Sequence, residues 1–304
     1  MDSPDEIIRQ LIKTLDVSVN TFNDAMPAAQ RRILDEVVLM TKDLDVKEGK
    51  IQVTAKNIRI VGKIRKELSN IILDKKYMNS VNDFVTSFDS VADLHNNYFN
   101  AVSSSFGMKD LYTAIKEESI NATVVGLTKS GLEANVTNPL ADILRQNITT
   151  GGRYTDFVKQ LTTQLTTTSE GDGSLVRYAK TYTTDALHQY SANYHQAITD
   201  DLDFVWYAYD GGLQTTSREF CIEMIKAKNS CMRYFHKSQI PTLLEGLICS
   251  GTVELNPKTN LPKGFIKGTN ASSFLTLRGG WGCKHLIKSV PSAMVPKELR
   301  QMFE

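Results

Sequence analysis

The chain has 304 residues, of which 41% are hydrophobic and 23% are charged, with 35 Lys and Arg against 34 Asp and Glu. These values are typical of a soluble globular protein, and the length allows one large domain or two modest ones with a sizeable core. No run of 18 apolar residues occurs, so we expect no membrane span. The acidic start, residues 1–6, has the wrong charge pattern for a signal peptide.

Charge is distributed unevenly along the chain. Residues 1–110 carry 15 basic and 16 acidic side chains, residues 111–210 carry 7 and 12, and residues 211–304 carry 13 and 6. The basic last third indicates a surface for DNA or for an acidic protein, although a solvated basic face without a ligand explains the same pattern. The candidate contact residues are Lys258, Lys263 and Lys267.

Residues 1–136 are predicted to be a helical, bundle-like region. Apolar residues recur there at three- and four-residue spacing, over about 5–24, 27–44, 54–73 and 78–103. Apolar stripes on consecutive long helices indicate antiparallel packing. Core packing is the simpler interpretation of these stripes, and self-association through the N-terminal helices is the alternative. Residues 122–127 fit a short strand.

Residues 137–200 are predicted to be a helical connector. Helices are expected from Pro139 to about 147, over 153–168, and over a long segment from Ser174 to about 200. His188 and His195 share a face of the long helix but lie seven residues apart, which is too far for one metal ion. They are therefore expected to be surface or packing histidines.

Residues 201–304 are predicted to form a small α+β domain with a short β-sheet, within a predominantly helical chain. The aromatic run 204–209 suits a strand, and Asp210-Gly211-Gly212 suits the reversal that follows it. A second run, 286–290, also follows glycines and stops at Pro291. Two strands built alike are predicted to be neighbours in one sheet, with unrelated surface strands as the alternative.

The four cysteines, Cys221, Cys231, Cys249 and Cys283, all lie in the last third. If the two strands pair, Cys221, Cys283 and His285 should converge. Buried thiols are the preferred interpretation, because a cytosolic setting keeps cysteines reduced and no Cys-x-x-Cys knuckle occurs. A Cys221–Cys283 disulfide and a zinc site with Cys231 or His236 as fourth ligand are the alternatives. No metal and no other cofactor is expected.

Catalytic motifs are missing from the sequence. There is no Gly-x-Ser-x-Gly elbow and no His-Glu-x-x-His. Cys283 and His285 would lie on one face of a strand without an orienting carboxylate. We therefore expect no enzyme, and we assign scaffold roles to Arg218, as a donor to carbonyls at the turn, and to Asp210, as a helix cap or a partner of Arg218.

An ordered set of residues between about 137 and 291 resembles the head-morphogenesis domain of tailed-phage minor head proteins of the phage Mu type. The resemblance includes the helical run Arg177–Thr181 and the element Tyr234-Phe235, and Lys284 stands where the family usually has arginine. Its principal residues are Trp206, Asp210, Arg218, Cys221, Gly279, Gly280, Cys283 and His285.

This resemblance implies a minor structural protein of the phage head, found in the virion and assembled in the host cytoplasm. The implied partners are portal, capsid or scaffold proteins, with double-stranded DNA as a further candidate. The competing class is an enzyme or toxin-like effector delivered with the genome, such as a metal-dependent nuclease. The basic third has only six acidic residues, spread from Glu219 to Glu304, which argues against that class. A helical adaptor unrelated to virions is a third class.

Overall fold

A computed structural model describes residues 2–169, 171–226, 234–248, 251–277, 279–280 and 283–303. Within these ranges the chain is predominantly helical, with a few short antiparallel sheets. The predicted α+β class is therefore confirmed. None of the helices in these ranges is both long enough and apolar enough to cross a bilayer.

Helices occupy most of the first two thirds of the chain. They are α1 (Pro4–Thr41), α2 (Ala55–Ile72), α3 (Lys75–Val102), α4 (Asp110–Thr128), α5 (Ser130–Leu132), α6 (Asn138–Thr150), α7 (Tyr154–Leu165) and α8 (Ser174–Asp201). A π-helical segment, Glu133–Thr137, joins α5 to α6. A hairpin with strands of two residues each, β1 (Val46–Lys47) and β2 (Lys50–Ile51), separates α1 from α2.

The last third contains shorter elements. The strands are β3 (Trp206–Asp210), β4 (Tyr234–His236), β5 (Leu247–Ile248), β6 (Gly251–Thr252) and β7 (Leu286–Val290). The helices are α9 (Glu219–Lys226), α10 (Ile240–Leu244), α11 (Phe274–Leu277) and α12 (Lys297–Arg300).

Two local predictions are wrong. Pro27 lies inside α1 rather than at a boundary between two helices. Phe22, Met26 and Ile33 around it are buried, so continuous burial of one face offsets the hydrogen bond that proline cannot donate. Residues 122–127 belong to α4 and not to a strand. Thr123 and Leu127 are buried four residues apart, and this helical spacing overrides the strand preference of the β-branched run.

The chain separates into two compact units. One consists of Met1–Asp16, Ser87–Ser119 and Thr184–Glu304, and the other consists of Val17–Thr86 and Ile120–Thr183. These segments alternate along the chain, whereas the sequence predicts three consecutive regions. The predicted boundaries at 136 and 200 stay a prediction.

The unit formed by 17–86 and 120–183 has an apolar core with a few satisfied polar groups. Ile64 and Leu68 of α2 are buried, as are Phe157 and Leu161 of α7. The side chain of Asn57 is also buried and bonds to the backbone of Asp45 and Gln52, which anchors the segment before α2. The apolar stripes of this region therefore include core positions, and self-association through the N-terminal helices stays a prediction.

The other unit is organised around a three-stranded antiparallel sheet with the order β4-β3-β7. Trp206 lies opposite Val290, and Asp210 lies opposite Leu286, so the predicted pairing of the two strands is confirmed. Tyr207, Tyr209, Phe235 and Ile287 face one apolar cluster. Trp206, Ala208 and Val290 face the other, so both faces of the sheet are covered.

Two buried histidines of this unit form a hydrogen-bonded chain. The backbone N–H of Ser289 donates to Nε2 of His195 at 2.8 Å, so the proton of this neutral ring is on Nδ1. That N–H faces Nδ1 of His95 at 3.2 Å, and Nε2 of His95 then donates to the hydroxyl of Ser191 at 2.9 Å. Burial lowers the pKa of His95 to about 3 and lowers that of His195 well below its ordinary value. His188 is buried too, so both histidines predicted on α8 are packing residues.

Candidate functional site

The site lies where β3 ends and β7 begins. Pairing of Asp210 with Leu286 brings His285 beside the turn that follows β3, and Cys221 lies in the first turn of α9. The potential ligand atoms of Cys221, Cys283 and His285 lie within 4.8 Å of one another, and all three residues are buried. The predicted convergence is confirmed. Cys283 and His285 precede β7 rather than lying within it, because the strand begins at Leu286.

Hydrogen-bonding distances connect these groups. Sγ of Cys283 lies 3.6 Å from Nδ1 of His285. The hydroxyl of Tyr209 lies 3.4 Å from Sγ of Cys221 and 3.7 Å from Sγ of Cys283. Cys221 and Cys283 are not joined to each other, so the structure does not contain the disulfide considered as an alternative. We name Cys221, Cys283, His285 and Tyr209 the Cys–His cluster.

Hydrogen bonding and burial keep the Tyr209 hydroxyl and the Cys221 thiol protonated. The hydrogen bond with Cys283, together with burial, raises the pKa of Cys221 well above its ordinary value, while the hydrogen bond with Tyr209 and the nearby Arg218 act in the opposite direction. Burial also raises the pKa of Tyr209 well above its usual range. Because a thiolate is the reactive form, the ion-free Cys221 side chain is a poor nucleophile at neutral pH.

Gly279 and Gly280 are required by close packing around the cluster. A Cβ at Gly279 would lie 2.6 Å from Sγ of Cys221 and 3.2 Å from Sγ of Cys283. Gly280 has a φ of +99°, and a Cβ there would lie 2.0 Å from the carbonyl oxygen of Gly264. These contacts explain why the sequence has two glycines at this point.

A narrow cleft opens beside the cluster. One wall is formed by residues of the 212–218 loop, and the other is formed by Cys221, Cys283, Lys284 and His285. Arg218 lines this cleft, and its side chain packs against Gly264, where a Cβ would be 2.1 Å from Cδ of Arg218. The predicted scaffold residue Arg218 therefore belongs to the wall of the cleft.

Asp210 has a scaffold role with a partner that sequence reasoning missed. One carboxylate oxygen accepts a hydrogen bond from the N–H of Gly211 at 2.9 Å, and the other lies 3.0 Å from Nζ of Lys288. Lys288 also contacts Asp5 at 3.0 Å and is only 5% exposed. A lysine in a five-residue strand is ordinarily read as solvent-facing. The strand register could have indicated this ion pair, because it places Lys288 and Asp210 on the same face of the sheet.

Trp206 and His236 lie on the opposite face of the sheet from the Cys–His cluster. They are paired across β3 and β4, and their rings pack at 5.1 Å, with Phe303 against both. The prediction of His236 as a candidate fourth zinc ligand is therefore wrong, because the residue is on the other face of the sheet. The other candidate, Cys231, lies outside the described residues, and so does Cys249.

The three predicted DNA-contact lysines, Lys258, Lys263 and Lys267, are exposed. Lys263 forms an ion pair with Glu254, which neutralises part of its charge. These lysines precede α11 in the chain, in a segment with little regular secondary structure.

Comparison of the chain with protein-family models, with curated proteins and with solved structures gives no match. Function must therefore be inferred from the residues of the site and from the motif resemblance.

Proposed function

We propose that this chain is a minor structural protein of a tailed-phage head, which binds portal, capsid or scaffold proteins during head assembly. One observation carries the proposal: motif residues from two distant segments pack together. The ligand atoms of Cys221, Cys283 and His285 form one group, and Gly279 packs against both sulfurs of that group. Residues that pack as one unit support the resemblance more strongly than separate matches do, because their spacing then has a common structural cause.

The chemistry of the site supports a structural role over a nuclease. Within the described residues, the one grouping of three potential metal ligands is Cys221, Cys283 and His285, and it contains no carboxylate. A nuclease that uses Mg²⁺ would need carboxylate oxygens around its ion. When it binds no metal ion, Cys221 is also buried and protonated at neutral pH, which suits a scaffold better than a nucleophile.

DNA is proposed as a second partner through the basic last third. Lys258 and Lys267 project from exposed positions, where phosphates can reach them without displacing buried groups. Contacts of this kind hold the nucleic acid backbone without reading its sequence. Such binding suits a protein that meets packaged DNA of any sequence.

Particle association tests the proposal directly. Filled particles and empty heads of a phage that encodes this chain would be purified, washed at high salt, and analysed by quantitative mass spectrometry. We expect a fixed, low copy number in both kinds of particle, with a major capsid protein as the internal standard. Absence from both would overturn the proposal. Presence in filled particles, followed by loss when the DNA is ejected, would instead identify a delivered effector.

A further inference from the structure

We propose that Cys221, Cys283 and His285 bind one zinc ion, with a solvent molecule as the fourth ligand on the side of the cleft. This inference goes beyond the proposed head function, because a metal site would be present whatever the partner is. It also replaces the preference for plain buried thiols that the sequence favours. The geometry, the ligand chemistry and the surroundings of the Cys–His cluster all favour a bound zinc ion.

The spacing of one ligand pair matches tetrahedral zinc, and the third ligand lies nearby. Bonds of about 2.3 Å to sulfur and about 2.0–2.1 Å to nitrogen place a sulfur and a nitrogen ligand about 3.6 Å apart in a tetrahedron. Sγ of Cys283 and Nδ1 of His285 are 3.6 Å apart. Sγ of Cys221 completes a set whose members all lie within 4.8 Å of one another. An ion could therefore be held with only small movements of the three side chains.

The ligand set selects the type of metal. Thiolate and imidazole ligands favour zinc and other borderline or soft ions, whereas Mg²⁺ and Ca²⁺ prefer oxygen. Binding would release the two thiol protons to solvent, and the two thiolates would then balance the charge of Zn²⁺. The site would add no net charge to a cleft that already contains Arg218 and Lys284.

Groups around the cluster fit a supporting role for the sulfur ligands. The hydroxyl of Tyr209 is close enough to both sulfurs to donate a hydrogen bond to a thiolate. Outer groups of this kind orient metal ligands. Because Gly279 has no side chain, its backbone lies close to both sulfurs. This backbone limits the access of solvent to the sulfurs from that direction.

The fourth position faces the cleft. Atoms of Cys221, Cys283 and His285 line the cleft together with Gln214, Thr216 and Ser217. A water there would leave three protein ligands and one exchangeable position. The ion would connect the start of α9 to the segment before β7, since its ligands come from both.

Metal content of the full chain is the first test. The protein would be purified under reducing conditions, and zinc would be measured by elemental analysis before and after titration with zinc. We expect one zinc per chain. Replacement by Co²⁺ should give the sulfur-to-cobalt charge-transfer absorption of thiolate ligands, a readout that needs no variant. Absence of stoichiometric metal binding, or a cobalt complex without that absorption, would overturn the proposal. A Cys221–Cys283 disulfide, mapped by peptide mass spectrometry in protein alkylated at cell lysis without reductant, would also overturn it.

Variants locate the site. Cys283→Ser and His285→Gln should each lose stoichiometric zinc, whereas His236→Gln, on the other face of the sheet, should retain it. Tyr209→Phe keeps all three ligands and should weaken zinc affinity by about 10–100-fold. Zinc affinity unchanged in both Cys283→Ser and His285→Gln would place the ion elsewhere and refute the assignment. If those variants fail to fold, Tyr209→Phe and the cobalt spectrum of the unmodified chain decide the question.

Discussion

Nζ of Lys288 lies 3.0 Å from a carboxylate oxygen of Asp210, on the neighbouring strand and the same face of the sheet. Lys288 is 5% exposed, and its second partner, Asp5, comes from the first turn of α1. A buried ammonium that loses its partners costs several kcal/mol, because its hydration is not replaced. The two carboxylates therefore make a lysine compatible with the interior of the sheet.

We expect the two carboxylates to differ in their contribution to stability. Asp210 is 26% exposed and Asp5 is 62% exposed, so solvent screens the second pair more strongly. Asp210→Asn should lower the free energy of unfolding by about 1–3 kcal/mol. Asp5→Asn, the matched control, should lower it by less than about 1 kcal/mol. Urea unfolding measures both, and a larger effect at Asp5 would contradict this account.

Trp206→Ala should lower the free energy of unfolding by roughly 3–5 kcal/mol. The indole is buried and packs edge-to-face with Phe303 at 5.3 Å, so truncation leaves a large cavity. Val205→Ala is the control, since Val205 is partly exposed and a change there should be within about 0.5 kcal/mol. Equal denaturation midpoints for the two variants would show that this face of the sheet is not a core.

Gly279→Ala should destabilise the protein by about 1–3 kcal/mol, as overpacking does. The new methyl group would meet the sulfur atoms of Cys221 and Cys283. Gly212→Ala is the matched control, because no atom lies within 4 Å of a Cβ there and its φ is not positive. Thermal unfolding compares the two, and a neutral Gly279→Ala would mean that the cluster is less tightly packed than described.

Mild acid should destabilise the unit that contains His95 and His195. The pKa of each folded imidazole lies below the unfolded value of about 6.5, because burial disfavours the charged form. Below that value the unfolded chain takes up protons that the folded chain does not. This contribution to stability is thus complete above about pH 6.5 and is lost as the pH falls, at up to about 1.4 kcal/mol per pH unit for each histidine.

Urea unfolding at about pH 7.5 and about pH 5 tests this dependence, since most carboxylates stay ionised over that range. The double variant His95→Gln/His195→Gln should show a shallower loss of stability on acidification than the unmodified chain. His236→Gln serves as a comparison, because burial lowers the pKa of His236 as well. This variant measures how much His236 contributes to the loss of stability in acid. An unchanged slope in the double variant would show that the two histidines do not carry the effect.

DNA binding, if it involves the basic last third, should weaken steeply as salt rises. Each neutralised phosphate contributes about 0.9 to the slope of log affinity against log salt. Lys258→Glu/Lys267→Glu should reduce the magnitude of that slope by about 2. Lys263→Glu should change it less, because Glu254 already pairs with Lys263. Affinity that does not depend on salt, or no binding at low salt, would leave proteins as the only partners.

Sequence patterns predicted those parts of the fold that depend on local chemistry. The aromatic run, the glycines and the second apolar run were enough to predict that β3 and β7 pair, and the pairing then placed His285 near Cys221. The spacing of apolar and aromatic residues also predicted helix α8. In each case neighbouring residues specify the element itself, and the likeness of the two strands allowed their pairing to be predicted.

Side-chain contacts between distant segments that share no recognisable pattern could not be predicted in this way. Nothing near Lys288 indicates that its second carboxylate comes from Asp5, and the His95–His195 contact joins residues that are 100 positions apart. The continuation of α1 through Pro27 depends on burial that only the folded chain reveals. Local propensity is a weak guide wherever tertiary packing opposes it.

The contact between Asp5 and Lys288 joins positions that are 283 residues apart. At about 5–20 residues per second, a ribosome needs roughly fifteen seconds to one minute to make the intervening chain. Until then, β3 has no β7 beside it, and one edge of an aromatic strand has unpaired backbone groups. Completion of this sheet therefore waits until residue 290 has been synthesised, and before that point the nascent chain is an expected client for chaperones that shield exposed apolar segments.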